Sequence, residues 1–86
     1  LIVHVDTFGP TLRDLRTAAG LSLADVAART GLEQSAIGRI ERGERSPTLR
    51  TLAALTVAVG FRFAVYGESV ALTRDEEGFA TQTRRR

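Results

Sequence analysis

The side chains best equipped for directed hydrogen bonding gather in one stretch: Gln34, Ser35, Arg39, Arg42, Arg45 and Arg50. Wound as a helix, Gln34, Ser35, Gly38, Arg39 and Arg42 lie on the side opposite Ala36, Ile37 and Ile40, which face inward. An amide, a hydroxyl and guanidinium groups on one long polar face suit the base edges of a DNA major groove. Two further charges fall where apolar residues belong. Arg16 lies on the stripe of Leu12, Leu15 and Ala19, and Glu41 lies on that of Ile37 and Ile40. A lone buried charge is very costly, so an inward arginine and an inward glutamate point to each other as partners. The alternative is that both snorkel to the rim.

Catalytic constellations are missing by comparison. His4 is the single histidine and sits in an apolar run, there is no cysteine, and no glycine-rich phosphate loop occurs. Ser22 and Ser35 have no histidine base beside them, and Asp75, Glu76 and Glu77 read as solvated acids at a turn. The expectation is a protein that is not an enzyme and holds no cofactor or metal.

The elements that must position the polar face are marked by local signals. Ser22 with Asp25 forms a capping-box-like start, after which Leu23, Val26, Ala27 and Thr30 recur at helical spacing. Gly31 tolerates positive φ and ends that helix. Upstream, Leu1 to Val5 is a β-branched run that reads as a short strand, and Thr7 to Pro10 form a break. Pro10 suits the first turn of a helix over about Thr11 to Ala19, ended by Gly20. Downstream, Gly43 to Pro47 is a loop, and Thr48 caps a fourth helix that runs to Val59 and stops at Gly60. Within Leu52 to Val59 the one polar side chain is Thr56, so this helix is expected to be covered by its own core and by a second subunit.

After Gly60 the period becomes alternating. Phe61, Phe63 and Val65 point one way, while Arg62, Ala64 and Tyr66 point the other. Gly67-Glu68 can turn the chain so that Val70 to Thr73 returns as a second strand. Asp75 to Gly78 is a further turn candidate, Phe79 to Thr83 a weak strand, and Arg84 to Arg86 a basic tail.

The combination LRDLRTAAGLS, ARTGL, SAIGRIERGERSP and TLRTLAALTVAVG, between Leu12 and Gly60, resembles the lambda repressor/Cro-type helix-turn-helix family, often called the XRE family. The resemblance implies a mainly α fold: a four-to-five-helix lambda-repressor-like DNA-binding domain with a short C-terminal β-strand or hairpin. It implies an ion pair between Arg16 and Glu41. It gives Gln34, Ser35 and Arg39 the base-reading positions and sets Ser22, Arg42 and Arg45 near the phosphates. Two residues depart from the family pattern. Leu23 stands where many relatives carry a backbone-touching glutamine, and Glu33 stands where a small hydroxyl cap is usual.

A strand after the helix-turn-helix resembles the antitoxin branch, in which C-terminal strands help to join two subunits. That implies a repressor of its own operon that also binds a toxin. A stand-alone regulator of the same fold is the alternative, and an interaction module that does not bind DNA is a third. A two-fold dimer on an inverted-repeat operator is expected, with Leu55, Val59, Phe61, Phe63 and Val65 at the subunit contact.

Composition agrees with one small domain. The 86 residues are 43% hydrophobic, enough for one core, and divide into 1–10 (arm or short strand), 11–60 (helix-turn-helix), 61–83 (β-rich extension) and 84–86 (tail). No disulfide is available, no apolar run is long enough to span a bilayer and no secretory signal appears, which points to the cytoplasm. The first residue is Leu1, so the N-terminus is either trimmed or internal to a longer chain. The net charge of +2 owes much to the tail: residues 1–83 carry nine basic against ten acidic side chains. DNA affinity must therefore rest on local clustering of arginines, and all twelve basic residues are arginine.

Overall fold

The computed structural model describes residues 1–75. The order is β1 (Ile2–His4), a 3-10 turn (Val5–Thr7), α1 (Phe8–Ala18), α2 (Leu23–Thr30), α3 (Gln34–Glu41), α4 (Leu49–Ala58), β2 (Phe61–Tyr66) and β3 (Ser69–Arg74). It is a mainly α, lambda-repressor-like arrangement of four helices with a small antiparallel sheet. The candidate turn Asp75 to Gly78 lies mostly, and the candidate strand Phe79 to Thr83 and tail Arg84 to Arg86 wholly, outside the described residues.

The helix starts follow their caps. Ser22 Oγ accepts from the Asp25 N–H at 3.0 Å, and the Asp25 carboxylate accepts from the Ser22 N–H at 2.8 Å, a complete capping box. The Ser22 N–H first, and the Ser22 hydroxyl second, hold the Asp25 carboxyl below its ordinary pKa. Thr48 Oγ1 likewise accepts from the Thr51 N–H at 3.1 Å to open α4. Gly31 closes α2 in the left-handed region at φ 79°.

The first helix departs from expectation at both ends. It begins at Phe8 rather than near Thr11, because the 3-10 turn leads straight into it and Phe8 is anchored in the core. Pro10 sits inside the first turn, where an N–H would lack an intrahelical partner in any case. At the far end α1 stops at Ala18, and Ala19, expected on the buried stripe, is an exposed cap.

One core joins helices and sheet. Leu12, Val26, Ile37, Ile40, Leu52, Leu55, Val59, Phe61, Val70 and Leu72 are buried together, with Leu15, Leu23 and Phe63 packed against them. Leu23 is thus a core contact, which accounts for an apolar residue at a position that faces DNA in many relatives. Thr56, buried in α4, returns its hydroxyl to the Leu52 carbonyl at 2.6 Å. Arg29 closes the other end of that helix by donating to the Ala58 carbonyl at 2.9 Å.

The sheet has the order β1-β3-β2, so the N-terminal run is its third strand rather than a free arm. Ile2 pairs with Ala71, and Ala71 on its other side with Ala64. Leu72 donates to the Leu1 carbonyl at 2.7 Å and Val5 to the Glu68 carbonyl at 2.8 Å. On the side of the N-terminal run the bonding residues are therefore 70 and 72 of β3 and Glu68 just before it, leaving Ser69, Ala71 and Thr73 to bond Tyr66, Ala64 and Arg62 of β2. By the same alternation, the backbone groups of Phe61, Phe63 and Val65 point to the edge of the sheet that no strand among the described residues covers.

Candidate nucleic-acid interface

Helix α3 is held by its inner face and offers its outer one. Ile37 is fully buried, Ile40 nearly so, and Leu32 and Ala36 are half-buried, while Gln34, Ser35 and Arg39 are exposed. Gly38, expected on the polar face, is buried instead: the Arg42 guanidinium lies over it, and a Cβ there would stand 3.1 Å from Nη1. The readable face is thus Gln34, Ser35 and Arg39, with Arg42 folded back along the helix.

Behind that face Arg16 and Glu41 meet. Arg16 Nε donates to Glu41 Oε2 at 2.6 Å and Nη2 to Oε1 at 2.9 Å, while Nη1 donates to the Leu21 carbonyl at 2.9 Å. The side chains are only 12% and 5% exposed. One guanidinium therefore ties α1 to the last turn of α3 and to the loop before α2, fixing the attitude of the exposed face. The Glu41 hydrogen bond keeps the Arg16 pKa above its ordinary value.

The residues assigned to phosphate are differently engaged. Ser22 is exposed at the start of α2, its oxygen accepting within the capping box. Arg45 is exposed in the loop after α3. Arg42 is paired with Glu44, a partner the sequence pattern left unassigned although only a glycine separates the two. Glu33 opens α3 without a side-chain cap bond, so its carboxylate stands free of that duty beside Gln34.

The residues expected at a subunit contact divide. Leu55, Val59 and Phe61 are buried at 0%, 4% and 9% exposure in the protomer's own core, so their side chains have no surface to offer. The alternation after Gly60 set Phe61, Phe63 and Val65 on one side of the strand, and at Phe61 that side is filled by the protomer's own core. Phe63 is half-buried and Val65 exposed, both on β2, an edge strand among the described residues. On α4 the exposed apolar residues are Leu49 and Val57; Val57 borders an open groove of about 500 Å³ with Ala53, Ala54 and Ala58. No helix among the described residues is long and apolar enough to cross a membrane.

Comparison with known proteins converges on this geometry. A helix-turn-helix domain family model matches residues 7–62. The HTH-type transcriptional regulator SutR of Escherichia coli (strain K12) is 38% identical over 56 residues, 65% of this chain but 32% of its own length. The chain thus spans about a third of that regulator. The uncharacterized HTH-type transcriptional regulator y4dJ of Sinorhizobium fredii (strain NBRC 101917 / NGR234) is 35% identical over 74 residues, covering 86% of this chain and 91% of its own. The crystal structure of the restriction-modification controller protein C.AhdI from Aeromonas hydrophila aligns with a TM-score of 0.60 and 42% identity, over 64% of this chain and 83% of that one. With the family model spanning more than half the chain and one relative matched over most of both lengths, this chain belongs to the XRE-like helix-turn-helix family of DNA-binding transcriptional regulators, which are not enzymes.

Proposed function

We propose that the chain is a sequence-specific repressor that reads an inverted-repeat operator with α3, as a dimer. The observation that carries this reading is the division of α3: Gln34, Ser35 and Arg39 exposed on one side, Ile37, Ile40 and Glu41 buried on the other. Arg39 can address a guanine edge with two bonds and Gln34 an adenine edge, while Ser22, Arg42 and Arg45 serve the backbone. Arg39→Ala or Gln34→Ala should cost about 1–3 kcal/mol on the preferred duplex and relax preference at one base position. Arg45→Ala should weaken all duplexes alike and flatten the salt dependence. Selection from random DNA, followed by titrations on matched and mismatched duplexes at several salt concentrations, separates the two. An unchanged base preference in Arg39→Ala would show that another element reads the site.

The dimer reading is supported by the edge of β2, which no other strand among the described residues covers. An uncovered strand edge is an invitation to pair, and β2 carries no proline and one charge, Arg62, to discourage it. Two copies pairing antiparallel must use the outward groups of Phe61, Phe63 and Val65. Of the two-fold registers this allows, the one centred on Phe63 gives the most hydrogen-bonded pairs, setting Phe61 against Val65 of the second copy. Val65→Lys puts a charge on that edge and should turn a dimer into a monomer by sedimentation at micromolar concentration. Its affinity for a full operator, with half-sites about 34–36 Å apart, should then fall to that for a half-site. A well-folded monomer of the unaltered chain that binds a half-site as tightly as a full one would exclude the dimer.

The antitoxin role is the finer reading. Its support is the sheet appended to the helix-turn-helix, whose outer side exposes Ile2 and Tyr66 and so leaves apolar surface for a second protein. The alternative, a stand-alone regulator, is supported by the y4dJ match over most of both chains. Co-expression with the product of the adjacent gene decides between them: a stable complex that tightens operator binding favours the antitoxin, and an unbound neighbour favours the stand-alone regulator.

A further inference from the structure

The exit from α3 brings a carboxylate back onto the face that Arg39 and Arg42 present. Gly43, left-handed at φ 76°, reverses the chain, and the Glu44 N–H donates to the Arg39 carbonyl at 2.8 Å. The turn delivers the Glu44 carboxylate to the Arg42 fork: Nε donates to Oε2 at 2.9 Å and Nη2 to Oε1 at 3.3 Å. Two nitrogens on one edge of a guanidinium facing two oxygens is also the geometry in which arginine takes a phosphate. On its other side, Arg42 rests on Gly38, where no side chain intervenes. The guanidinium is therefore laid along α3 with its fork already filled.

The electrostatics point the same way. Glu44 is held below the usual carboxylate range by the Arg42 hydrogen bond first, then by the charges of Arg42 and Arg39. One acid thus sits in the field of a base-reading and a phosphate-facing arginine. Arg42 in turn is held above its ordinary pKa by the same bond.

Resting on the DNA-binding reading above, we infer that Glu44 is a built-in competitor for the DNA backbone, its carboxylate standing where a phosphate would bind Arg42. A phosphate must displace it before Arg42 can neutralise DNA charge. Phosphates are alike at every site, so the competition lowers affinity for all sequences and leaves the bases read by Gln34 and Arg39 unchanged. It also removes one arginine from the set whose binding releases counterions.

The test uses the full chain, a duplex selected from random sequence and an unrelated duplex. Glu44→Gln should bind both about two- to fivefold more tightly, the scale of one exposed ion pair. Its plot of log affinity against log salt should steepen by up to about 0.9, the share of one phosphate. Base preference and melting temperature should stay as they were. In an Arg42→Ala background the gain from Glu44→Gln should shrink. A purely structural pair would not move the salt slope. If Arg42→Ala weakens binding while Glu44→Gln leaves it unchanged or weakens it too, Glu44 is a surface pair or a positioning residue and the inference is overturned. If Gln34→Ala, Arg39→Ala and Arg42→Ala all leave DNA binding intact, the assignment of the DNA face fails and takes this inference with it.

Discussion

Arg16→Ala is expected to lower folding stability by about 3–5 kcal/mol, the range for stripping one partner from a buried ion pair. The survivor, Glu41, is a carboxylate 6% exposed at the end of α3 that would lose both of its side-chain donors. Glu41→Ala should be somewhat milder, because Arg16 keeps its bond to the Leu21 carbonyl and a longer route to water. Arg16→Lys should not rescue the loss: one ammonium cannot reproduce three bonds to two separate elements. Urea unfolding of the two single variants and the double variant gives the coupling directly. A coupling well above 1 kcal/mol is expected, and losses that simply add would mean the pair does not act as a unit. Replacing both partners with well-packed apolar side chains should recover much of the loss, since a buried pair is a weaker source of stability than its geometry suggests. Operator affinity should then distinguish holding the fold from holding the attitude of α3.

That pair was legible from the sequence because each charge interrupts an apolar stripe, a contradiction with few physical resolutions. The capping box at Ser22 and Asp25, the left-handed stop at Gly31 and the cap at Thr48 were legible for a related reason. Each satisfies backbone groups within a few residues, so no tertiary knowledge is needed. What the sequence did not disclose is non-local. Pairing of Ile2–His4 with β3 joins residues nearly seventy apart, and a run of three extended residues does not name its partner. Leu55 and Val59 were expected at a subunit contact because α4 is almost wholly apolar, and Phe61 because it opens an alternating strand, but apolar faces can be covered by their own chain. Here the sheet supplies the cover. The polar face of α3 was readable apart from Gly38, because helical periodicity gives direction but not whether a neighbouring arginine will lie across the gap. Glu44 lies among Arg39, Arg42 and Arg45 in the chain, and only the fold of the Gly43 turn shows which arginine it meets.

Gly9→Ala is expected to destabilise the protein by about 3 kcal/mol or more, the upper end of what overpacking costs. Gly9 is buried in the first turn of α1, and a Cβ there would fall 2.1 Å from the Ile40 carbonyl oxygen and 3.1 Å from that of Glu41. Both obstacles are backbone at the end of α3, so no rotamer change can clear them. The helices would have to part by more than an ångström to restore an ordinary contact. Such a shift loads the Arg16–Glu41 bridge, whose members ride on the same two helices and meet at 2.6 Å. Helix propensity makes the opposite forecast, since alanine is favoured over glycine by about 1 kcal/mol in an exposed helix interior. The sign of the change therefore tests the packing. Thermal and urea unfolding should show Gly9→Ala well below the unaltered protein, and in the folded remainder operator affinity should fall although no DNA-facing residue has changed. A neutral or stabilised variant would mean that α1 and α3 are not in backbone contact at this point, and the rigid seating of the reading helix on α1 would have to be abandoned.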